Sequence, residues 1–333
     1  MKVAIFSTQK YDREYFEKFE DYHNHELTYF KTSLNKDTVE LARGYPAICV
    51  FVNDKLDDKT LELLSRNGVR LIALRCAGHN NVDLKAANQY GLTVLRVPAY
   101  SPEAIAEHAL ALILTLNRKT HKAYNRVREG NFSLENLTGF NLNKKTVGVI
   151  GTGKIGAIFS EIMMGLGCQI LAYDINESDI LRNQGVKYVS MENIFLNSDI
   201  ISLHCPLTEE TIHIIDREAL LKMKDGVMII NTSRGGLIKT EDVIDALLSK
   251  KIGYLGIDVY EQEENLFFKD LSESIIEDDM ILRLNSFPNV LITSHQAFFT
   301  KEALDEIALV TLQNITDFES RNTLKNEVRY INK

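Results

Sequence analysis

Residues 145–174 read KTVGVIGTGKIGAIFSEIMMGLGCQILAYD, and no other stretch restricts the possible folds so tightly. Thr146–Ile150 is a short apolar, β-rich run that leads directly into Gly151-Thr152-Gly153-Lys154-Ile155-Gly156. A helical periodicity follows, with Ile155, Ile158, Phe159, Ile162, Met163 and Leu166 on one stripe. Gly165 and Gly167 flank the expected helix end, and Gln169–Tyr173 reads as a second strand that closes on Asp174. Strand, glycine turn, helix, strand and terminal acid stand in the order of a βαβ unit.

Each residue type in that turn has a physical reason. Gly151 permits the sharp turn, Gly153 lets backbone approach a pyrophosphate, and Gly156 allows close helix–strand packing. The helix start presents unpaired N–H groups and a positive dipole end to phosphate. Asp174, 18 residues beyond Gly156, is placed to accept hydrogen bonds from a ribose 2′-OH. Its charge repels a 2′-phosphate, and Ile175 and Asn176 supply no Arg to hold one. The motif therefore reads as a dinucleotide site that prefers NAD to NADP.

At 333 residues the chain is long enough for two domains with separate cores. Its 45% hydrophobic and 25% charged residues are those of an ordinary globular protein. A net charge of −8 offers no basic face for nucleic acid or an anionic membrane, so an anionic substrate needs a local cation. Cys49, Cys76, Cys168 and Cys205 are widely spaced and form no metal-ligand pattern, which reads as reduced thiols of a cytoplasmic protein. No metal is expected, since His204 and Cys205, as neighbours on a strand, would point to opposite faces. No targeting segment is visible, and the most apolar helix, Ala104–Leu116, is too short to span a bilayer.

Residues 1–100 repeat a βα rhythm, with strands expected at Val3–Ser7, Leu27–Phe30, Ala47–Val52, Leu71–Arg75 and Thr93–Val97. Such alternation implies a parallel sheet covered on both faces. This half lacks a glycine-rich phosphate loop. Ser101-Pro102-Glu103 then opens a helix that runs to about Asn117. Because it is apolar nearly all round, burial between domains or subunits is expected. After Asp174 the rhythm resumes, with strands expected near Lys187–Val189, Asp199–Cys205, Val227–Thr232, Tyr254–Val259 and Val290–Thr293. Residues 261–289 exceed the usual loop length and are read as functional or partly helical. The last helix, Lys301–Glu319, carries an apolar stripe.

Ligands of an open parallel sheet bind beyond the carboxyl ends of its strands. Arg234 lies beyond Val227–Thr232, Glu263 beyond Tyr254–Val259, and His295 beyond Val290–Thr293. Hydride exchange with a 2-oxo acid needs those side chains. A carboxylate is best held by a forked guanidinium, the carbonyl oxygen needs a proton donor in the range of imidazole, and a nearby carboxylate orients that ring. Taken singly, each of the three also has a bland reading: Arg234 as a surface ion pair, Glu263 as a solvated acid beside Glu261 and Glu264, and His295 as one histidine among eight. None of the other seven (His23, His25, His79, His108, His121, His204, His213) is expected to be catalytic.

These residues lie in motifs that span the chain: Arg75-Cys76-Ala77-Gly78-His79-Asn80-Asn81-Val82-Asp83, Val97-Pro98-Ala99-Tyr100-Ser101-Pro102, the glycine loop, and His204-Cys205-Pro206-Leu207-Thr208. Asn231-Thr232-Ser233-Arg234-Gly235, Gly256-Ile257-Asp258-Val259-Tyr260-Glu261, Leu266-Phe267-Phe268 and Thr293-Ser294-His295-Gln296-Ala297-Phe298 complete the set. In content and order the chain resembles the D-isomer-specific 2-hydroxyacid dehydrogenases, most closely their D-lactate dehydrogenase branch. The resemblance implies an α/β protein of two doubly wound parallel-sheet domains. A Rossmann NAD domain, residues 101–299, is inserted into a smaller flavodoxin-like substrate domain, residues 1–100 and 300–333. The two close on a hinge, usually in a homodimer.

The resemblance further implies that Arg234 binds the substrate carboxylate, His295 is the acid/base and Glu263 its partner. Ala77 and Gly78 would offer backbone N–H groups to the carboxylate, while Tyr100 and Phe298 would line the side-chain pocket. Gly151, Gly153, Lys154, Ile155, Gly156, Asp174, Cys205, Pro206, Thr232, Ser233 and Asp258 would contact NAD. Thr211 joins them at a position where relatives often carry Asn. The activity expected is reversible reduction of pyruvate to D-lactate. A related enzyme for bulkier 2-oxo acids, such as 2-oxoisocaproate or phenylpyruvate, is the alternative. Glu263 argues against formate dehydrogenases, which use Gln there. A nucleotide-sensing corepressor of the same architecture retains an Arg/Glu/His set but carries terminal segments not seen here.

Overall fold

A computed structural model describes residues 1–20 and 23–330; residues 331–333, the end of the segment expected in the first domain, lie outside the described residues. The chain divides into two compact units, one of residues 1–101 and 298–333, the other of residues 102–297.

The first unit begins with β1 (Lys2–Ile5), α1 (Lys10–Glu20), β2 (Glu26–Tyr29), β3 (Ala47–Val50) and α2 (Asp58–Arg66). It continues through β4 (Leu71–Leu74), α3 (Leu84–Gln89) and β5 (Thr93–Arg96). The sheet order is β2-β1-β3-β4-β5, all parallel, which is the flavodoxin-like arrangement. β3 and β4 are buried at every position, as strands covered on both faces must be. The C-terminal helix α12 (Lys301–Glu319) returns to pack Ala308, Leu312 and Ile315 onto this core. Asp57, Asp83 and Thr300 cap the helices they precede.

The second unit opens with α4 (Pro102–Arg118) and α5 (Thr120–Arg128), then β6 (Thr146–Ile150), α6 (Lys154–Gly165) and β7 (Gln169–Tyr173). α7 (Asp179–Asn183), β8 (Lys187–Tyr188), α8 (Met191–Asn197), β9 (Ile200–Leu203) and α9 (Arg217–Lys222) follow. The unit ends with β10 (Val227–Asn231), α10 (Thr240–Leu248), β11 (Ile252–Ile257), α11 (Asp279–Ser286) and β12 (Val290–Ile292). Its seven strands are parallel in the order β12-β11-β10-β9-β6-β7-β8, a Rossmann sheet with one added strand. The order reverses between β6 and β9, and there the glycine turn sits. The stretch 261–289 is only partly helical, with a 3-10 turn at Glu263–Asn265 and α11.

The inner face of α4 is buried inside its own unit. Its buried face (Ala106, Ala109, Leu112, Ile113, Leu116) joins Phe159 and Met163 of α6 and Met228 and Ile230 of β10 in one core, all within the second unit. Its apolar periphery has a home in the sheet-covering layer, leaving Ala111 and Leu114 on the outer face. Periodicity showed that the helix is buried but not against what.

His204 and Cys205 lie just past β9 rather than within it. The His204 ring packs 4.8 Å from Phe159 and shares a 2.8 Å hydrogen bond with the Ser202 hydroxyl. Burial lowers its pKa from 6.5 to about 3. The unfolded chain takes up a proton near pH ~6.5 that the fold refuses. Stability through this group is therefore complete above about pH 6.5 and lost as pH falls toward 3, by up to about 1.4 kcal/mol per pH unit. His204→Gln should flatten the fall in unfolding free energy between pH 6.5 and 5 in urea titrations; an unchanged slope would show that His204 does not titrate this way.

Candidate active site

The glycine turn is shaped by contacts that a side chain would destroy. Gly151 has φ +93°, and a Cβ there would lie 2.5 Å from the Cys205 nitrogen. At Gly156 a Cβ would lie 1.9 Å from the Gly151 carbonyl oxygen, so the helix starts directly against the turn. Around Gly153, by contrast, a Cβ would meet nothing within 4 Å. Gly153 is the N-cap of α6 and supplies no side-chain cap, so the amides of the first turn, from Lys154 and Ile155 on, face that open space. Asp174, at the end of β7, accepts from the Thr152 amide at 2.6 Å and the Asn176 amide at 2.9 Å.

Beyond β9, the Cys205 carbonyl accepts from the Ser233 hydroxyl at 2.7 Å. Burial, with the Asp174 charge adding, pushes the Cys205 thiol up to about 11, so it remains a neutral packing group. Thr211 turns inward on its own loop, donating to the Pro206 carbonyl at 2.7 Å and accepting from the Thr208 amide at 2.8 Å. The Thr232 hydroxyl is buried and lacks a hydrogen-bond partner, a vacancy in the protein's own bonding that suits a ligand amide or hydroxyl. Open space at Gly153, uncapped amides, a carboxylate after β7 and an unsatisfied hydroxyl after β10 fit NAD.

The other end of the site rests on Asp258, fully buried just past β11. Its carboxylate accepts from the Thr293 hydroxyl at 2.5 Å and from the Gln296 and Ala297 amides at 2.9 Å. His108 Nε2, from α4, stands 3.4 Å from the same carboxylate and 3.0 Å from the Thr293 hydroxyl. The Asp258 carbonyl also accepts from the His295 amide at 2.7 Å. His295 is held with φ +51°, a left-handed conformation that costs of order 1 kcal/mol or more in a non-glycine residue. Its Nδ1 lies 2.9 Å from Glu263 Oε1, while Glu263 Oε2 accepts from the Tyr260 amide at 2.9 Å. With Nδ1 engaged, Nε2 is the ring nitrogen left for other chemistry. Side-chain exposures of 17% for His295 and 23% for Glu263 leave the pair accessible yet shielded.

Arg234 occupies the turn after β10. Asn231 Nδ2 donates to its carbonyl at 2.9 Å, and its own Nη1 donates to the Ser233 carbonyl at 2.7 Å. Among the described residues no carboxylate pairs with this half-buried guanidinium, and no direct bond joins it to Glu263 or His295. A surface ion pair is therefore not its role.

In the first unit, the Ala77–Gly78 turn follows β4, with Arg75 just before it and Arg96 bonded to it. Arg96 donates to the Ala77 carbonyl at 3.0 Å. Arg75, buried to 1% exposure, pairs with Asp12 at 3.1 Å, donates to the Ser7 carbonyl at 2.9 Å and lies 4.9 Å from the Phe51 ring centre. Phe298 packs against both Phe51 and Tyr100, with centroids 5.9 and 6.0 Å apart. Motif reading named Ala77, Gly78, Tyr100 and Phe298 but not Asp12 or Arg96, whose work is done through contacts distant in sequence. Glu261, which motif reading gave no role, binds His213 at 2.7 Å and the Thr240 amide at 3.0 Å. Burial works against its charge, and these hydrogen bonds outweigh it, holding the carboxyl below its ordinary range.

Among the described residues no group of three or more His, Cys, Asp or Glu side chains is arranged to hold a metal ion. Among the same residues no helix is long and apolar enough to cross a membrane.

Comparison with known proteins gives a consistent picture. Residues 110–297 match the family model for the D-isomer specific 2-hydroxyacid dehydrogenase, NAD binding domain. The chain is 53% identical to a 2-hydroxyacid dehydrogenase homolog of Haemophilus influenzae, covering 98% of this chain and 99% of that protein. It is 51% identical to a D-lactate dehydrogenase of Escherichia coli, over 98% of this chain and 100% of the relative. Among solved structures, the D-lactate dehydrogenase of Aquifex aeolicus complexed with NAD and lactic acid superposes with a TM-score of 0.88 at 34% identity, covering 99% and 100% of the two chains. The chain belongs to the D-isomer specific 2-hydroxyacid dehydrogenases, NAD-dependent oxidoreductases of Rossmann architecture.

Proposed function

We propose that this enzyme interconverts pyruvate and D-lactate, with His295 as the acid/base. The observation that carries the reading is the 2.9 Å bond between His295 Nδ1 and Glu263, which leaves Nε2 to serve a substrate oxygen. NAD, when bound, supplies or accepts the hydride. The Arg234 guanidinium, unpaired by any carboxylate of its own chain among the described residues, binds the 2-oxo acid carboxylate through its fork and polarises the carbonyl beside it. As negative charge develops on the carbonyl oxygen, His295 gives up its Nε2 proton there, and Glu263 steadies the ring through the transfer. In the reverse direction the same nitrogen receives the hydroxyl proton.

Ala77 and Gly78 give amide donors to the carboxylate in this reading, and Tyr100 with Phe298 limits the side-chain space. That aromatic cluster favours a methyl group over the branched or aromatic chains of 2-oxoisocaproate and phenylpyruvate. The cofactor is held by Gly151, Gly153, Lys154, Ile155, Gly156, Asp174, Cys205, Pro206, Thr232, Ser233 and Asp258. Thr211 acts through the shape of its loop. We place the enzyme in the cytoplasm, where its four free, buried cysteines stay reduced. We assemble it as a homodimer through the outer face of α4 and the following segment, where Leu114, Tyr124, Val127, Phe132 and Leu134 are exposed.

Arg234→Lys keeps the charge but loses the fork, and should lower kcat/KM for pyruvate by about 10²-fold or more. Near-wild-type kcat/KM in NADH-consumption assays would remove Arg234 from substrate binding. The same assay over pyruvate, 2-oxoisocaproate and phenylpyruvate, with chiral analysis of the product, should rank pyruvate first and yield the D-isomer. A bulkier acid in first place would favour the related dehydrogenase. Asp174→Ala should raise the KM for NADH about tenfold and move the NADH/NADPH preference toward parity. An unchanged preference would show that this carboxylate does not read the ribose.

A further inference from the structure

We infer that His213 and Glu261 form a positioning clamp that holds the Arg234 turn in register with the Glu263–His295 pair. The inference rests on the catalytic roles proposed above and adds to them two residues that touch neither substrate nor cofactor.

Three loops meet here, each leaving the carboxyl end of a neighbouring strand. The loop after β9 runs alongside the Arg234 turn: the His213 amide donates to the Gly236 carbonyl at 2.8 Å, and the Ile215 amide to the Leu237 carbonyl at 3.0 Å. The Lys239 amide returns a 3.0 Å bond to the Ile215 carbonyl. On its other side the Arg234 turn presses on the loop after β11. A Cβ at Gly235 would lie 2.1 Å from the Tyr260 carbonyl and 2.5 Å from the Glu261 nitrogen. Gly235 is thus the contact between the residue next to Arg234 and the start of the segment that carries Glu263.

Contact alone lets loops slide. The side chains of His213 and Glu261 close the ring of three loops with a 2.7 Å bond, and the second Glu261 oxygen takes the Thr240 amide at the start of α10. Glu261 thereby ties the β9 and β10 loops to the β11 loop two residues before Glu263. His213 itself sits at φ +53°, a conformation kept only where the surroundings fix it. A guanidinium that must meet a carboxylate while an imidazole meets the adjoining carbonyl needs such fixing, because a displacement of about 1 Å costs on the order of 10²-fold in rate.

The test uses the full-length enzyme. His213→Asn tolerates the left-handed backbone but its amide falls short of Glu261, whereas the amide of His213→Gln can still reach it. His213→Asn should raise the KM for pyruvate about tenfold and lower kcat severalfold, with NADH affinity by fluorescence titration unchanged. His213→Gln should stay within about threefold of wild type. A merely structural role would reduce active enzyme and so kcat, leaving the pyruvate KM alone. An unchanged KM in His213→Asn, or equal damage in His213→Gln, overturns the clamp. Should His213→Asn not accumulate as folded protein, His213→Ala gives the same comparison. Arg234→Lys, assayed in parallel, separates the two levels: full activity there defeats the proposed chemistry, whereas loss there with none in His213→Asn defeats only the clamp.

Discussion

The carboxyl group of Asp258 has no exposed surface, and such a polar group is tolerated only if the chain gathers hydrogen-bond partners around it. Here the donors are the Thr293 hydroxyl and two consecutive amides, Gln296 and Ala297, with the His108 ring beside them. Satisfying that one group bends the chain after β12 back over the end of β11. The same bend sets His295 in its left-handed conformation, with its amide on the Asp258 carbonyl. The ring is then brought to Glu263, itself fixed by the Tyr260 amide. The strain at His295 is borne by bonds made on either side of it.

A parallel sheet makes this economy possible. All its strands end on one edge, so residues far apart in sequence leave that edge from neighbouring strands. Ser233–Arg234, Tyr260–Glu263 and Thr293–His295 follow β10, β11 and β12, which lie side by side. The glycine turn follows β6 across the switch point, where the Gly151 backbone abuts Cys205 with no room for a methyl group. Chemistry and cofactor binding therefore share one framework of strand ends.

Much of this could be read from the residues. The glycine turn with its strand, helix and acid specified a Rossmann unit, and the βα alternation specified parallel sheets in both halves. The rule that ligands gather beyond strand ends picked Arg234, Glu263 and His295, and two of these are hydrogen-bonded to each other. Other features were not legible because they depend on pairing between distant segments. Nothing local marks His108 as a neighbour of Asp258, or His213 as the partner of Glu261, since an exposed-looking Glu in an acidic run reads as solvated. Apolar periodicity in α4 signalled burial, but only the sheet order shows that α6, β10 and β11 receive it. Arg75 is the converse case: a charged residue in a recognisable motif whose complete burial follows from Asp12, 63 residues earlier.

The imidazole is where the proposed chemistry stands or falls. His295→Ala, followed by single-turnover oxidation of NADH with saturating pyruvate, isolates the proton-donating step from binding. A placed acid contributes about 10²–10⁴-fold, so the rate should fall by that factor while NADH titration by fluorescence stays at the wild-type value. A variant that turns over at the wild-type rate would contradict the assignment of His295 as the acid/base.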